Sequence, residues 1–475
     1  MLLPTPGKAG ACAGRPACRG IHRRHAADGN GPPPPATGRA LPAPGGQPDG
    51  GAGLAARRQR ARPALATIAA MPFSSFFRTA LVLGLLSAIG PFAIDMYLPA
   101  LPAIGTALQA DVGAVQWSLT AFFLALGVGQ LAYGPVSDRV GRRAPLLFGL
   151  GLFIAASIGC AVATDVRLLV ALRFVQGLGA AAGTVIPRAV VRDLHTGTEA
   201  ARLMSLLMLV FSVSPLLAPL VGSGVIALAG WRGVFWAVAL AALAGIALVR
   251  RALPETLPAA QRSSGQGSLG RALRAYGVLL RDRHYLGLVA IGGCCMAGFF
   301  VYLAGSPFVL IDHYGLSPVL YSLAFSVNSA AFFVSAQFTA RLGRRFGLAQ
   351  VVRVAVSGAG AAMVLLLAYF ASGGERLAVL LVLYFCASAL MGLVIPTTTV
   401  LALEAHGAIA GTASALMGTL QMLIGTGAMA VAGHFASGRP LPMVVGMAAG
   451  ALTGVALTWL TLGPRGMARA AQAAR

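Results

Sequence analysis

Apolar residues along this chain come in long continuous runs separated by short polar turns. From Arg78 onward twelve such runs follow one another, at about 79–98, 115–134, 144–163, 168–190, 203–227, 232–250, 285–307, 319–340, 348–370, 376–400, 409–432 and 441–462. Each is close to the ~20 residues with which an α-helix crosses a bilayer. None shows the period-two alternation of a membrane barrel strand. The pattern predicts an all-α integral membrane protein with twelve transmembrane helices. The longest connection, about 251–284, joins the sixth run to the seventh and contains Pro254, Pro258 and Arg262-Ser-Ser-Gly-Gln-Gly-Ser268. That is the composition of a flexible linker. The expected organisation is a first six-helix bundle over 71–250, the linker, a second bundle over 285–465 and a short tail, 466–475.

Residues 1–70 break the pattern. They hold Pro32 to Pro35 in a row, many glycines, nine arginines, Lys8 and only two acids. Such a segment cannot bury enough apolar surface to fold, and it lacks the apolar core of a signal peptide. Met71, just before the first span, is the expected natural start, with a regulatory tail as the alternative.

Composition agrees with the pattern: 57% of the 475 residues are hydrophobic and 10% are charged, against roughly a quarter charged in soluble domains. The formal charge of +23 lies in short loops and the leading tail, with no basic patch interleaved with aromatics, so nucleic-acid binding is excluded. The partners implied are a lipid bilayer and a small molecule. The six cysteines show no metal-ligand spacing and read as small packing residues. No nucleophile–base set or metal cluster is visible, so neither an enzyme nor a resident cofactor is expected.

Arginines set the expected orientation. After residue 70, counting Arg78 as inside, the inner loops and ends take 21 of 26. Four fall in outer loops (Arg167, Arg232, Arg376, Arg439), and Arg173 lies within a span. The positive-inside rule then puts both termini and the linker in the cytoplasm. The halves also echo each other. Arg139-Val-Gly-Arg-Arg143 recurs 202 residues later as Arg341-Leu-Gly-Arg-Arg345, and Gly183-Thr-Val-Ile-Pro187 recurs 209 residues later as Gly392-Leu-Val-Ile-Pro396. Repeated bundles with a site near the midplane between them describe an alternating-access transporter.

Candidate chemistry begins with the turn Gly134-Pro-Val-Ser-Asp-Arg-Val-Gly-Arg-Arg143. Gly134 and Gly141 permit a tight reversal, and Asp138 lies beside Arg139, Arg142 and Arg143. Such a set can latch a carboxylate or a helix end in one state and release it in another. Arg341, Arg344 and Arg345 form the second copy, but Ala340 stands where the first has Asp138, so an acid–arginine latch is expected in the first half only. Asp95, about 17 residues into the first span, is the strongest candidate for proton chemistry, because an ionisable group inside a membrane is costly and marks function. A helix-end acid at the outer headgroups is the alternative. Pro215, Pro219 and Gly222 predict a bent fifth span that neighbours approach closely. Tyr97, Gln130, Gln176, Tyr302, Asn328 and Gln421 are the candidate cavity residues. A few polar groups among many Phe and Met side chains suit a lipophilic compound better than a sugar.

These motifs resemble a known family. Gly134–Arg143 is similar to the loop signature of the major facilitator superfamily. Leu172-Arg-Phe-Val-Gln-Gly-Leu-Gly-Ala180 resembles the fourth-helix signature of its proton-driven members. Ala93-Ile-Asp-Met-Tyr-Leu-Pro-Ala-Leu-Pro102 resembles the first helix of Bcr/CflA-type bicyclomycin and chloramphenicol exporters. The likeness continues through Pro215-Leu-Leu-Ala-Pro-Leu-Val-Gly222 and Gly230-Trp-Arg-Gly-Val-Phe-Trp236 and covers about 79–465. It implies drug:proton antiport across a bacterial inner membrane, driven by the proton gradient and carried out by a single chain. It also implies that the first and fourth helices are neighbours, so Asp95 and Arg173 are expected to exchange partners as the proton comes and goes, directly or through Gln176 or a water. A proton symporter importing a metabolite is the alternative, which the fifth-helix motif disfavours.

Overall fold

A computed structural model describes residues 75–258, 262 and 274–463. Residues 1–70, the 466–475 tail and most of the linker lie outside that set. Among the described residues every regular element is helical. In the first half these are α1 (Ser75–Asp95), a 3₁₀ turn (Leu98–Ala100), α2 (Leu101–Ala107), α3 (Val112–Val140), α4 (Arg143–Val162), α5 (Val166–Leu194) and α6 (Gly197–Ala252). The second half contributes α7 (Arg283–Pro307), α8 (Pro318–Ala336), α9 (Thr339–Phe346), α10 (Leu348–Ala371), α11 (Leu377–Gly392), α12 (Val394–Glu404), α13 (Ala410–His434) and α14 (Pro440–Leu462).

Eleven helical stretches are long and apolar enough to cross a membrane. One of them, α6, runs for 56 residues and contains a non-helical residue, Gly230, at φ 66° and ψ −175°. Unbroken, it would be about 84 Å long, far more than a bilayer core. The break makes it two spans, so the expected twelve are present. Several helix starts are written in the sequence as acids. Asp111, Asp165 and Asp282 each cap a helix by accepting from amides two or three residues ahead. Much of the chain's small stock of carboxylates is therefore structural.

The first half packs α5 against α3 and α4, and α1 against α6; the second packs α7 against α13 and α14, and α8 against α11. The halves meet along two seams, α3 with α13 and α6 with α8. All the hydrogen bonds between the halves among the described residues lie toward the face remote from the basic loops. Gln116 donates to the Ala304 carbonyl at 3.1 Å. Ser322 donates to Pro219 O at 2.9 Å and Ser326 to Leu216 O at 2.7 Å. The proline-bent stretch of α6 thus offers its carbonyls to hydroxyls of the other half. Gly222 is needed close by, because a β-carbon there would collide with the Met96 carbonyl. The molecule is laced shut on that side.

The two copies of the basic turn fold differently. In the first, Gly141 takes φ 107° and ends α3 inside the motif. In the second, α9 runs helically through Arg341, Arg344 and Arg345, and the positive-φ residue is Gly347, beyond the motif.

Candidate functional site

The site is built around the end of α1. Asp95 is buried, with 5% of its surface exposed. It does not lie at the end of the first span, where the alternative reading would put it. The apolar helical stretch runs from Thr79 to Ala107, so roughly 18 Å of helix follows Asp95. A headgroup acid is therefore the wrong description. Among the described residues its carboxyl makes no hydrogen bond or ion pair.

Arg173, on α5, is completely buried. Its Nη1 donates to Gln176 Oε1 at 2.6 Å and to the Ala93 carbonyl at 3.4 Å. Gln176 passes the chain on, donating to Ser157 Oγ at 2.7 Å. The guanidinium lies between two rings, 4.4 Å from the Tyr97 centroid and 4.3 Å from that of Phe122. Tyr97 is fixed in turn by a 2.8 Å bond between its hydroxyl and Ser118. Nε and Nη2 find no partner among the described residues.

The expected Asp95–Arg173 pair is absent in this state, and helix geometry explains why. Arg173 touches Ala93 and Tyr97, which are four apart and share a face. Asp95 lies two residues from each and so leaves from the other face. What lies beyond it comes from both halves, and α6 packs against the turn that follows. The 3₁₀ turn after Asp95 also packs against α7 and α8 of the second half. The acid and the arginine thus occupy two sides of one helix.

The second half surrounds this point with neutral polar and aromatic groups. Tyr302 stacks on Tyr384 with centroids 3.9 Å apart and lies nearly parallel to Phe325 at 6.1 Å. Tyr321 reaches Ser306 at 3.4 Å. Asn328 donates to Ala324 O, while Tyr302 Oη, Asn328 Oδ1 and Gln421 Nε2 are buried without a partner among the described residues. Of the six expected cavity residues, Tyr302, Asn328 and Gln421 carry this unfilled capacity. Tyr97 and Gln176 instead support Arg173 inside the first half, and Gln130 is half-buried on α3.

The basic turn forms a closed network, also away from this site. Arg142 donates to Ser137, Asp138 and Asp193. Glu255, just past α6, accepts from the backbone amides of Arg142 and Arg143 at 2.8 and 3.1 Å. Arg143 reaches the Arg250 carbonyl. Burial alone would lower the Arg142 pKa, but the hydrogen bonds and charges of Asp193 and Asp138 outweigh it and hold the guanidinium above its ordinary value. Burial would push the Glu255 carboxyl up, yet the amides of Arg142, Leu257 and Arg143 hold it below its ordinary value. The sequence had singled out Asp138 alone; Asp193 and Glu255 were missed, though both sit in motifs that end a span. Around Arg341, Arg344 and Arg345, no ion pair forms among the described residues. The nearest counterpart in the second half is elsewhere, a 2.9 Å contact between His406 and Asp282.

Comparison with known proteins agrees with this architecture. The Major Facilitator Superfamily profile matches residues 83–429. An uncharacterized MFS-type transporter, YdgK, of Bacillus subtilis is 39% identical over 349 residues, covering 73% of this chain and 86% of the relative. Multidrug resistance protein D of Escherichia coli is 34% identical over 358 residues, covering 74% and 86%. A bicyclomycin resistance protein homolog of Haemophilus influenzae is 30% identical over 286 residues, covering 60% and 71%. Among solved structures, a D-xylose-proton symporter superposes with a TM-score of 0.63 at 18% identity, covering 82% of this chain and 98% of that one. At that identity the likeness speaks for the fold alone.

Proposed function

The chain belongs to the major facilitator superfamily, with Bcr/CflA-type relatives, and we propose that this multi-pass membrane transporter exports amphiphilic antibiotics in exchange for protons. The observation that carries the reading is Asp95, a carboxyl buried at the seam of the two halves with no ion partner among the described residues. Such a group gains or loses a proton according to which side solvent reaches it from, so its charge can report the transporter's state. The relatives named for multidrug and bicyclomycin resistance support an antibiotic as the cargo.

In this reading the basic-loop face is cytoplasmic. The present state is hydrogen-bonded shut on the outer side, and the path between the halves is read as opening inward. A compound enters between the halves against the aromatic and amide surface of Tyr302, Tyr384 and Asn328. A proton reaching Asp95 from outside neutralises it, and release to the cytoplasm restores the charge. Arg173 remains clamped in the first half and holds the Ala93–Tyr97 stretch in place, with Gln176 and Ser157 as its supports. The turn at 134–143 acts as a latch, with Asp193 and Glu255 as its partners, and the bent stretch around Pro215, Pro219 and Gly222 zips to α8 while the outside is closed. Bicyclomycin- and chloramphenicol-like compounds are the expected substrates, and the site is that of a bacterial inner-membrane protein working as a single chain.

A drug-susceptibility panel tests the reading. Wild-type protein should raise resistance to at least one such compound, and Asp95→Asn should return it to the empty-vector level. Everted vesicles should release protons when the compound is added. A compound that accumulates in intact cells with proton entry would instead make the protein an importing symporter.

A further inference from the structure

Arg188, counted with the inner side, falls near the end of the fourth apolar run, and the structure places it inside α5, six residues before its end at Leu194. It is exposed, although it belongs to a membrane span. Among the described residues it forms no hydrogen bond or ion pair. Its one recorded contact is a ring: the guanidinium lies 5.3 Å from the centroid of Phe211 on α6. Other arginines of the first half are better provided for. Arg142 has two carboxylates, Arg143 a carbonyl, Arg173 an amide oxygen and two rings, and Arg232 a carbonyl and the Trp231 ring.

Snorkelling to the basic-loop face does not account for Arg188. Side chains on a helix lean toward its start, and α5 starts at the sealed face, so this one points away from the basic loops. Phe211, which it covers, lies nine residues past Arg202, or roughly 13 Å deeper along α6. A guanidinium facing hydrocarbon at that depth would be very costly. The space it opens onto must therefore be wet, and it lies on the basic-loop side of the hydrogen bonds that join the halves. Stacked on a ring, its planar fork keeps donors free for an oxygen acceptor. The repeat has nothing equivalent: Thr397, which follows Pro396 as Arg188 follows Pro187, is buried and donates to Leu393 O.

We propose that Arg188, backed by Phe211, is a substrate-anchoring cation in the open path. It takes the anionic or strongly accepting oxygen group of an amphiphile and disfavours organic cations. The inference rests on the export reading for its biological meaning, but its test needs no transport.

Two dyes share a skeleton and differ by one sulfonate: 1-anilinonaphthalene-8-sulfonate and N-phenyl-1-naphthylamine. Their binding to full-length protein in phosphatidylcholine nanodiscs, without a proton gradient, isolates the charge. Wild-type protein should bind the sulfonate roughly tenfold more tightly than the neutral dye, the scale of one half-screened charge contact. Arg188→Gln should bring that ratio near one and leave the neutral dye's affinity alone, which also shows that the variant is folded. Arg188→Lys should keep part of the preference, and Arg192→Gln, at the exposed end of the same helix, should keep all of it. Retention of the full ratio in Arg188→Gln overturns the proposal, as does equal loss on changing Arg192. If Arg188→Gln binds neither dye, the Arg188→Lys variant decides, and a ratio of one there also overturns it. Tetraphenylphosphonium should compete poorly with the sulfonate dye in wild type; strong competition counts against the proposal. Failure of the export reading looks different: no resistance in cells, with the dye ratio still responding to Arg188.

Discussion

The two halves of this molecule share a helical plan but divide the chemistry between them. The first half carries Asp95, Arg173 and Arg188 within its spans, with an acid–arginine network at its basic end. Around the same central point the second half presents Tyr302, Tyr321, Tyr384, Asn328 and Gln421, which are all neutral. Equivalent positions make the contrast concrete. Ala340 replaces Asp138, and Thr397 follows the repeated proline where Arg188 follows its own. Even the backbone of the basic turn differs, with a glycine reversal in one copy and a helix in the other. At this central point the charged groups lie on one side of the seam. The physical advantage is that a change of charge at Asp95 is felt across the interface by a partner with no compensating charge of its own.

Five substitutions, besides the Asp95→Asn test, break or sharpen that contrast, with Tyr302→Phe as the control for the first and the others in descending size of effect. Arg173→Met should be the most damaging to stability, because it strands Gln176 Oε1 in a dry site and removes two cation–ring contacts. A loss of about 2–4 kcal/mol is expected, read as a lower Tm of the purified protein. Tyr302→Phe should leave Tm nearly unchanged, since its hydroxyl has no partner to lose among the described residues. Unequal Tm shifts would support a first half held by charge; equal shifts would remove the distinction.

Glu255→Gln should have a smaller effect, below about 1 kcal/mol given its exposure. Its pH dependence is informative. A carboxyl whose value is lowered on folding contributes stability above its unfolded value, 4.5 here, and loses it as pH falls through the lowered value. Wild-type protein should therefore lose stability on acidification below about pH 4.5 more steeply than Glu255→Gln, as followed by thermal melts. Asp282 in the second half, where burial raises but the Tyr285 amide and His406 lower, is also held below its ordinary value. Asp282→Asn should thus remove a comparable part of the slope. The smallest effect belongs to Ala340→Asp. An added acid on exposed α9 should change stability by less than about 0.5 kcal/mol and leave resistance intact. A large gain or loss would mean that the second basic copy is a latch after all.

The helices and the cost of Asp95 were legible early because both are local properties. A run of twenty apolar residues must cross hydrocarbon as a helix whatever surrounds it, and a carboxyl within such a run is conspicuous in any fold. Gly222 and the prolines of α6 were recognised as a bend, but not as a row of carbonyls facing Ser322 and Ser326 a hundred residues away. Glu255 was invisible as a latch partner because nothing in a Pro-Glu-Thr stretch tells which amides it will meet. Arg188 was not singled out for a related reason: counting arginines by side cannot see which way a side chain leans once its helix is packed.

The sequence alone determined the class of protein, the twelve spans, the two-fold repeat and the presence of an acid, Asp95, within the first span. These follow from helix rise, bilayer thickness and the price of a buried charge. Only the tertiary structure decided the partners. It gave Arg173 to Gln176, Tyr97 and Phe122, put Asp95 on the other side of the same helix, and set Arg188 against Phe211. Partner choice depends on how each helix is rotated about its axis and which neighbour it faces, and that is settled by packing between segments far apart in the chain.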